Sequence, residues 1–244
     1  MRKFLFPLLC ALVLISCEKP SPVPNQVGTV VRDTINSVPC RVYLPYAYAE
    51  RKEIFPVLYL YHGMYGNEND WTTKGHLTSI MNTLLQRGEV KEMVVIMPDN
   101  CPSKPTYEEE LANATNGEWE ANFAQFMKEA ESKYTISNQP SLRAVAGLSM
   151  GGYHAMRVSS ELDGQFGYVG LFSAATFKHQ APSEPTLLWT AIGKDDALVY
   201  DMFQEYRKWL ETNHREYTYY ESTGGHDWPQ WKDYITRFLP KCFQ

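Results

Sequence analysis

One heptapeptide, Ala146-Gly147-Leu148-Ser149-Met150-Gly151-Gly152, restricts what this chain can fold into more than any other stretch. It follows an apolar run at 142–146 that reads as a buried strand. It leads into Tyr153-His154-Ala155-Met156-Arg157-Val158, which reads as the first turns of a helix. A strand, a Gly-x-Ser-x-Gly turn and a helix together make a nucleophile elbow. Such a turn is so tight that only small residues fit two positions before and after the serine, where Gly147 and Gly151 stand. The start of the helix aims free backbone N–H groups at any oxyanion formed beside the serine. That makes the N–H of Met150 a candidate oxyanion donor.

The rest of the chain supplies the sheet that such an elbow needs. Two β-rich runs, 27–35 and 39–44, read as an N-terminal antiparallel pair. From Val57 onward apolar strands (57–61, 93–97, 142–146, 166–172, 185–192, 217–220) alternate with helical stripes. The stripes lie at 77–85, 119–134, 199–210 and 228–239. This alternation predicts an α/β fold with a mostly parallel central sheet and helices on both faces. The stretch 101–117 shows little pattern and contains three successive glutamates, Glu108, Glu109 and Glu110. It reads either as a substrate lid or as a solvated acidic loop.

Three polar groups fall just past the ends of successive strands: Ser149, then Asp195 or Asp196, then His226. Ligands of open α/β sheets bind at those ends, and the order Ser, Asp, His is that of α/β-hydrolases. A serine hydroxyl is a poor nucleophile until a neighbour takes its proton. A histidine suits that task, and a buried carboxylate holds its tautomer. In the turn Gly193-Lys194-Asp195-Asp196, Asp196 is the chosen carboxylate and Asp195 is expected to point outward. His62-Gly63-Met64 opens a loop where a core strand ends, the usual place for the second oxyanion donor, here the N–H of Met64. His62 precedes the serine and reads as structural. His76, His154, His179 and His214 read as surface or packing residues.

Composition and termini narrow the class further. With 44% hydrophobic and 21% charged residues, the chain is ordinary for a globular protein. A net charge of -5 with no basic patch argues against a nucleic-acid partner. Arg2 and Lys3 precede an apolar run at 4–15, too short for a stable span, that ends Leu14-Ile15-Ser16-Cys17. This resembles a bacterial lipobox, with residues 1–16 as signal peptide and Cys17 as the lipidated residue. An ordinary cleaved secretion signal is the alternative. Residues 17–26, with Pro20, Pro22 and Pro24, read as a stiff tether, and 27–244 as one catalytic domain. Cys40, Cys101 and Cys242 are left in that domain, so at most one disulfide can form, and their spacing does not suit a thiolate zinc site.

The motifs His62-Gly63 with Asp70-Trp71, Gly147-Leu148-Ser149-Met150-Gly151-Gly152, Gly193-x-x-Asp196 and Gly225-His226-Asp227-Trp228 resemble those of esterase D-like α/β-hydrolases. Within that branch they resemble the feruloyl and acetylxylan esterases of carbohydrate esterase family one, and the likeness spans about residues 27–239. The resemblance implies a serine esterase that forms an acyl-enzyme, with no metal or organic cofactor. Its expected substrate is a small-molecule or oligosaccharide ester, carrying feruloyl or acetyl groups on plant polysaccharide. The lipidated cysteine implies a bacterial cell-envelope location with the membrane as partner, or secretion if the lipobox is not used. An acyltransferase of the same fold and a catalytically silent glycan-binding lipoprotein are the rival readings.

Overall fold

The computed structural model describes residues 27–244, so the signal, Cys17 and the tether lie outside the described residues. β1 (Thr29–Ile35) and β2 (Val38–Leu44) form an antiparallel hairpin. The turn is Asn36-Ser37, both at positive φ (48° and 64°), the pattern of a two-residue turn whose twist matches the strands. The next strands are β3 (Val57–Tyr61), β4 (Val94–Pro98), β5 (Arg143–Leu148), β6 (Tyr168–Phe172), β7 (Leu187–Gly193) and β8 (Thr218–Ser222). All eight join one sheet in the order β1-β2-β4-β3-β5-β6-β7-β8. β2 runs antiparallel to β4, and every pairing from β4 to β8 is parallel.

Every residue of β3, β4, β5 and β6 is buried, as strands covered on both faces must be. The period of two then splits the core. Val57, Tyr59 and Tyr61 join one cluster and Leu58 and Leu60 the other. On the first face lie α4 (Glu118–Lys133), α5 (Met150–Glu161) and α6 (Tyr200–Thr212), packing Phe123, Phe126, Tyr153, Met156, Phe203 and Tyr206. On the second lie α2 (Leu77–Gln86) and α7 (Trp228–Phe238), packing Leu77, Met81, Leu84, Trp231, Tyr234 and Phe238. A single turn, α1 (Asp70–Thr73), precedes α2.

The stretch 101–117 is more ordered than its sequence suggests. It contains α3 (Tyr107–Thr115), opened by a capping box in which the Thr106 hydroxyl accepts from the Glu109 N–H and the Glu109 carboxylate accepts from the Thr106 N–H. Glu108 and Glu109 are solvated, whereas Glu110 is buried. The three described cysteines are free and buried, with no disulfide among them. Burial pushes the Cys40 thiol up to about 12 and the Cys101 thiol to about 11, and raises that of Cys242 well above the ordinary value. Among the described residues no helix is long and apolar enough to cross a membrane.

Candidate active site

Ser149 joins β5 to α5 at φ 52° and ψ -118°, a conformation an L-residue holds only when its surroundings enforce it. Three backbone hydrogen bonds do so. Its N–H donates to Phe172 O (2.9 Å), and its carbonyl accepts from Tyr153 N–H (3.2 Å) and Ala175 N–H (3.0 Å). The flanking glycines are a packing requirement. A Cβ on Gly147 would sit 2.3 Å from Gly151 O, and one on Gly151 would sit 2.2 Å from His62 O.

His226 follows β8, and Asp196 follows β7. Their loops are fastened together by Lys194 N–H to Ser222 O (2.9 Å) and Asp195 N–H to Gly224 O (3.0 Å). Gly224, at φ 150°, comes so close that a Cβ on Gly193 would lie 2.0 Å from its carbonyl oxygen. Asp195 is exposed and Asp196 fully buried, the orientation expected from the turn.

The three side chains meet. His226 Nδ1 lies 2.8 Å from Asp196 Oδ2, and Nε2 lies 2.8 Å from Ser149 Oγ. The other carboxylate oxygen, Oδ1, accepts from the N–H groups of Leu198 (3.3 Å) and Val199 (3.2 Å). Burial works to raise the Asp196 carboxyl, but the His226 hydrogen bond and charge outweigh it and hold the group below its ordinary value. The buried Ser173, at φ 44°, stands near enough to add to the lowering, although its Oγ makes no well-formed hydrogen bond. With the carboxylate ionised, the imidazole proton belongs on Nδ1, leaving Nε2 to accept from Ser149 Oγ–H. Trp231 packs edge-on against the ring at 5.0 Å, and Asp227 caps α7 by accepting from Gln230 N–H (3.2 Å).

The turn at 62–66 abuts the elbow: a Cβ on Gly63 would lie 3.3 Å from Ser149 Cβ. Met150 directly follows Ser149 and Met64 directly follows Gly63, and neither N–H has a hydrogen-bond partner among the described residues. His62 is a clamp for this turn. Its Nδ1 lies 2.8 Å from Gly63 O and its Nε2 3.2 Å from Asp99 Oδ1, while its N–H donates to Asn100 Oδ1 (3.0 Å).

Sequence reasoning overlooked Glu110. Its carboxylate accepts from Tyr65 N–H (3.0 Å) and from Lys104 N–H (2.6 Å), pinning the residue after Met64 to α3. The readable signal was the Thr106-x-x-Glu109 capping box, which locates α3 and so turns Glu110 inward. His154, read as a surface or packing residue, is buried with Nδ1 2.8 Å from Glu120 Oε1, joining α5 to α4. Among the described residues no group of three His, Cys, Asp or Glu could hold a metal ion.

A family model described as "Putative esterase" matches residues 34–215. An endo-1,4-beta-xylanase/feruloyl esterase of Xylanibacter ruminicola is 30% identical over 149 residues, 59% of this chain. The aligned part is only 20% of that relative, so the chain spans about a fifth of its length. Among solved structures, a CE1 ferulic acid esterase from Anaeromyces mucronatus in complex with ferulic acid superposes with a TM-score of 0.76 at 22% identity. That match covers 92% of this chain and 94% of the other. An S-formylglutathione hydrolase from Staphylococcus aureus superposes with a TM-score of 0.70 at 17% identity, covering 91% and 99%. Both share the α/β-hydrolase fold seen here.

Proposed function

The chain belongs to the Esterase family, and from that membership we propose that it is a serine esterase cleaving feruloyl or acetyl esters on plant polysaccharide. The observation that carries the mechanism is the unbroken hydrogen-bond chain from Asp196 through His226 to Ser149. Ser149 Oγ attacks the ester carbonyl carbon as His226 Nε2 takes its proton. The carbonyl oxygen becomes an oxyanion, received by the N–H groups of Met64 and Met150, each worth about 3 kcal/mol of barrier. The carbon–alkoxy bond breaks, and the imidazolium returns its proton to the departing sugar hydroxyl. Water, deprotonated by the same nitrogen, then attacks the acyl-serine and releases the acid, and Ser149 regains its proton. No step needs a metal or an organic cofactor.

The feruloyl preference is supported by the xylanase/feruloyl esterase relative and by the ferulic acid esterase neighbours. In this reading Cys17 carries lipid and holds the domain at the bacterial cell envelope through the 17–26 tether. Hydrolysis of methyl ferulate and of a chromogenic acetate ester tests the activity, and the ratio of the two rates sets the acyl preference. Absence of turnover, or turnover unchanged in Ser149→Ala, sinks the proposal. Added alcohols separate hydrolysis from acyl transfer by product partition. Mass spectrometry of the envelope-extracted protein tests Cys17 lipidation.

A further inference from the structure

A cavity of about 370 Å³ opens on the same edge of the sheet as the serine, on the far side of the 62–66 turn. That volume falls within the range of about 300–1,000 Å³ typical of small-molecule sites. β4, whose end forms one wall, lies two strands from β5, a separation of about 10 Å across a sheet. Four separate segments build the cavity. Asn36 comes from the β1–β2 turn, Asn100 from the end of β4, Asn113 and Asn116 from the end of α3, and Asn122 from α4.

The lining selects a chemical class. Amides both donate and accept, which suits hydroxyl groups, and five asparagines line the cavity. Asn113 Nδ2, Asn116 Oδ1 and Asn122 Nδ2 are engaged locally, which leaves Asn113 Oδ1, Asn116 Nδ2, Asn122 Oδ1 and the Asn36 amide for a ligand. Trp119, partly exposed, supplies apolar surface for the C–H face of a ring, and the buried Phe126 backs it at 5.4 Å. The charged lining groups are Asp99 and Glu118, with no cation among them, so an anion is disfavoured. Asn100 is 3% exposed, and its Oδ1 is used by the His62 N–H while its Nδ2 has no partner. The same residue therefore borders both the cavity and the clamp of the turn that bears Met64.

We propose that this cavity is a glycosyl subsite, which holds one uncharged sugar unit of the polysaccharide whose ester lies at Ser149. The proposal rests on the esterase reading above and adds where the polymer binds. Polymer-linked esters then gain from a contact that small synthetic esters do not make.

The test uses the Ser149→Ala protein titrated calorimetrically with xylotetraose, which carries no ester. The expected result is saturable binding, weakened about tenfold by Asn116→Ala with Asn122→Ala, given the usual worth of a few lost hydrogen bonds. Asn122 is exposed, so Asn122→Arg should fold normally while filling the cavity and abolishing the binding. With Ser149 intact, both variants should lose about tenfold in kcat/KM on feruloylated oligosaccharide and keep their rate on methyl ferulate. No saturable binding of xylotetraose, or equal binding by all the variants, overturns the subsite. Lack of methyl ferulate turnover by the unaltered protein overturns the esterase reading instead, whatever the titration gives.

Discussion

A carboxyl buried as deeply as that of Asp196 ordinarily keeps its proton to higher pH, and here the opposite holds because His226 Nδ1 faces it at 2.8 Å. The consequence is tautomeric. Asp196→Asn preserves shape but can present an N–H to the ring, moving the imidazole proton to Nε2, where it blocks transfer from Ser149. We expect kcat on methyl ferulate to fall about 10⁴-fold with the fold intact. A loss below tenfold would show that Asp196 does not set the imidazole's tautomer. Glu110 acts further from the chemistry, through the backbone of Tyr65. In Glu110→Ala the N–H groups of Tyr65 and Lys104 lose a charged acceptor, costing about 1–3 kcal/mol of stability. The turn bearing Met64 then loosens, so kcat should fall about tenfold while KM barely moves. Glu110→Gln, keeping one acceptor, should recover part of the loss. If both variants match the parent in kcat, Glu110 serves packing alone.

The elbow between β5 and α5 depends on backbones passing closer than side chains allow. Gly147→Ala and Gly151→Ala would each force a carbon to within 2.3 Å of a backbone carbonyl oxygen. We expect destabilisation of about 3 kcal/mol and loss of turnover, read as a fall in the urea midpoint alongside kcat. Normal stability in either variant would mean that the strand–helix crossing has slack. These elements were legible because their signals are local. Apolar runs, interrupted only by Arg143 at the start of β5, marked β3 to β6, and small residues at fixed offsets marked the turn. The positions of Ser149, Asp196 and His226 followed from strand ends. α3 was obscured because three consecutive glutamates mask its weak apolar stripe. The partners of Glu110 are backbone N–H groups 6 and 45 residues away, and backbone contacts leave no trace in side-chain pattern. The Glu120–His154 pair was hidden likewise, since each residue sits alone on its own helix.

At the scale of the whole domain, stability must come from the two apolar layers, because the three described thiols are free. Reductant should therefore leave the melting temperature unchanged, and a fall on adding dithiothreitol would reveal a disulfide. Acid should act more strongly than reductant. In Glu120 burial favours protonation, but the hydrogen bond and charge of His154 outweigh it and lower the carboxyl, the same balance as in Asp196. A carboxyl whose folded value lies below its unfolded one binds fewer protons when folded. Its contribution is complete above the ordinary carboxylate range and disappears as pH falls through the lower, folded value. The melting temperature should thus hold near neutrality and drop from about pH 5 toward about pH 2. Glu120→Gln removes one of these groups and leaves His154 Nδ1 and Arg157 facing a neutral amide. It should melt lower at pH 7, since weakened hydrogen bonds to a charged group cost about 1–3 kcal/mol, and show a shallower acid decline. Calorimetric scans across that range decide the matter. Curves for parent and variant that run parallel would mean that Glu120 is protonated at the same pH folded and unfolded, and that the α4–α5 contact is held by packing alone.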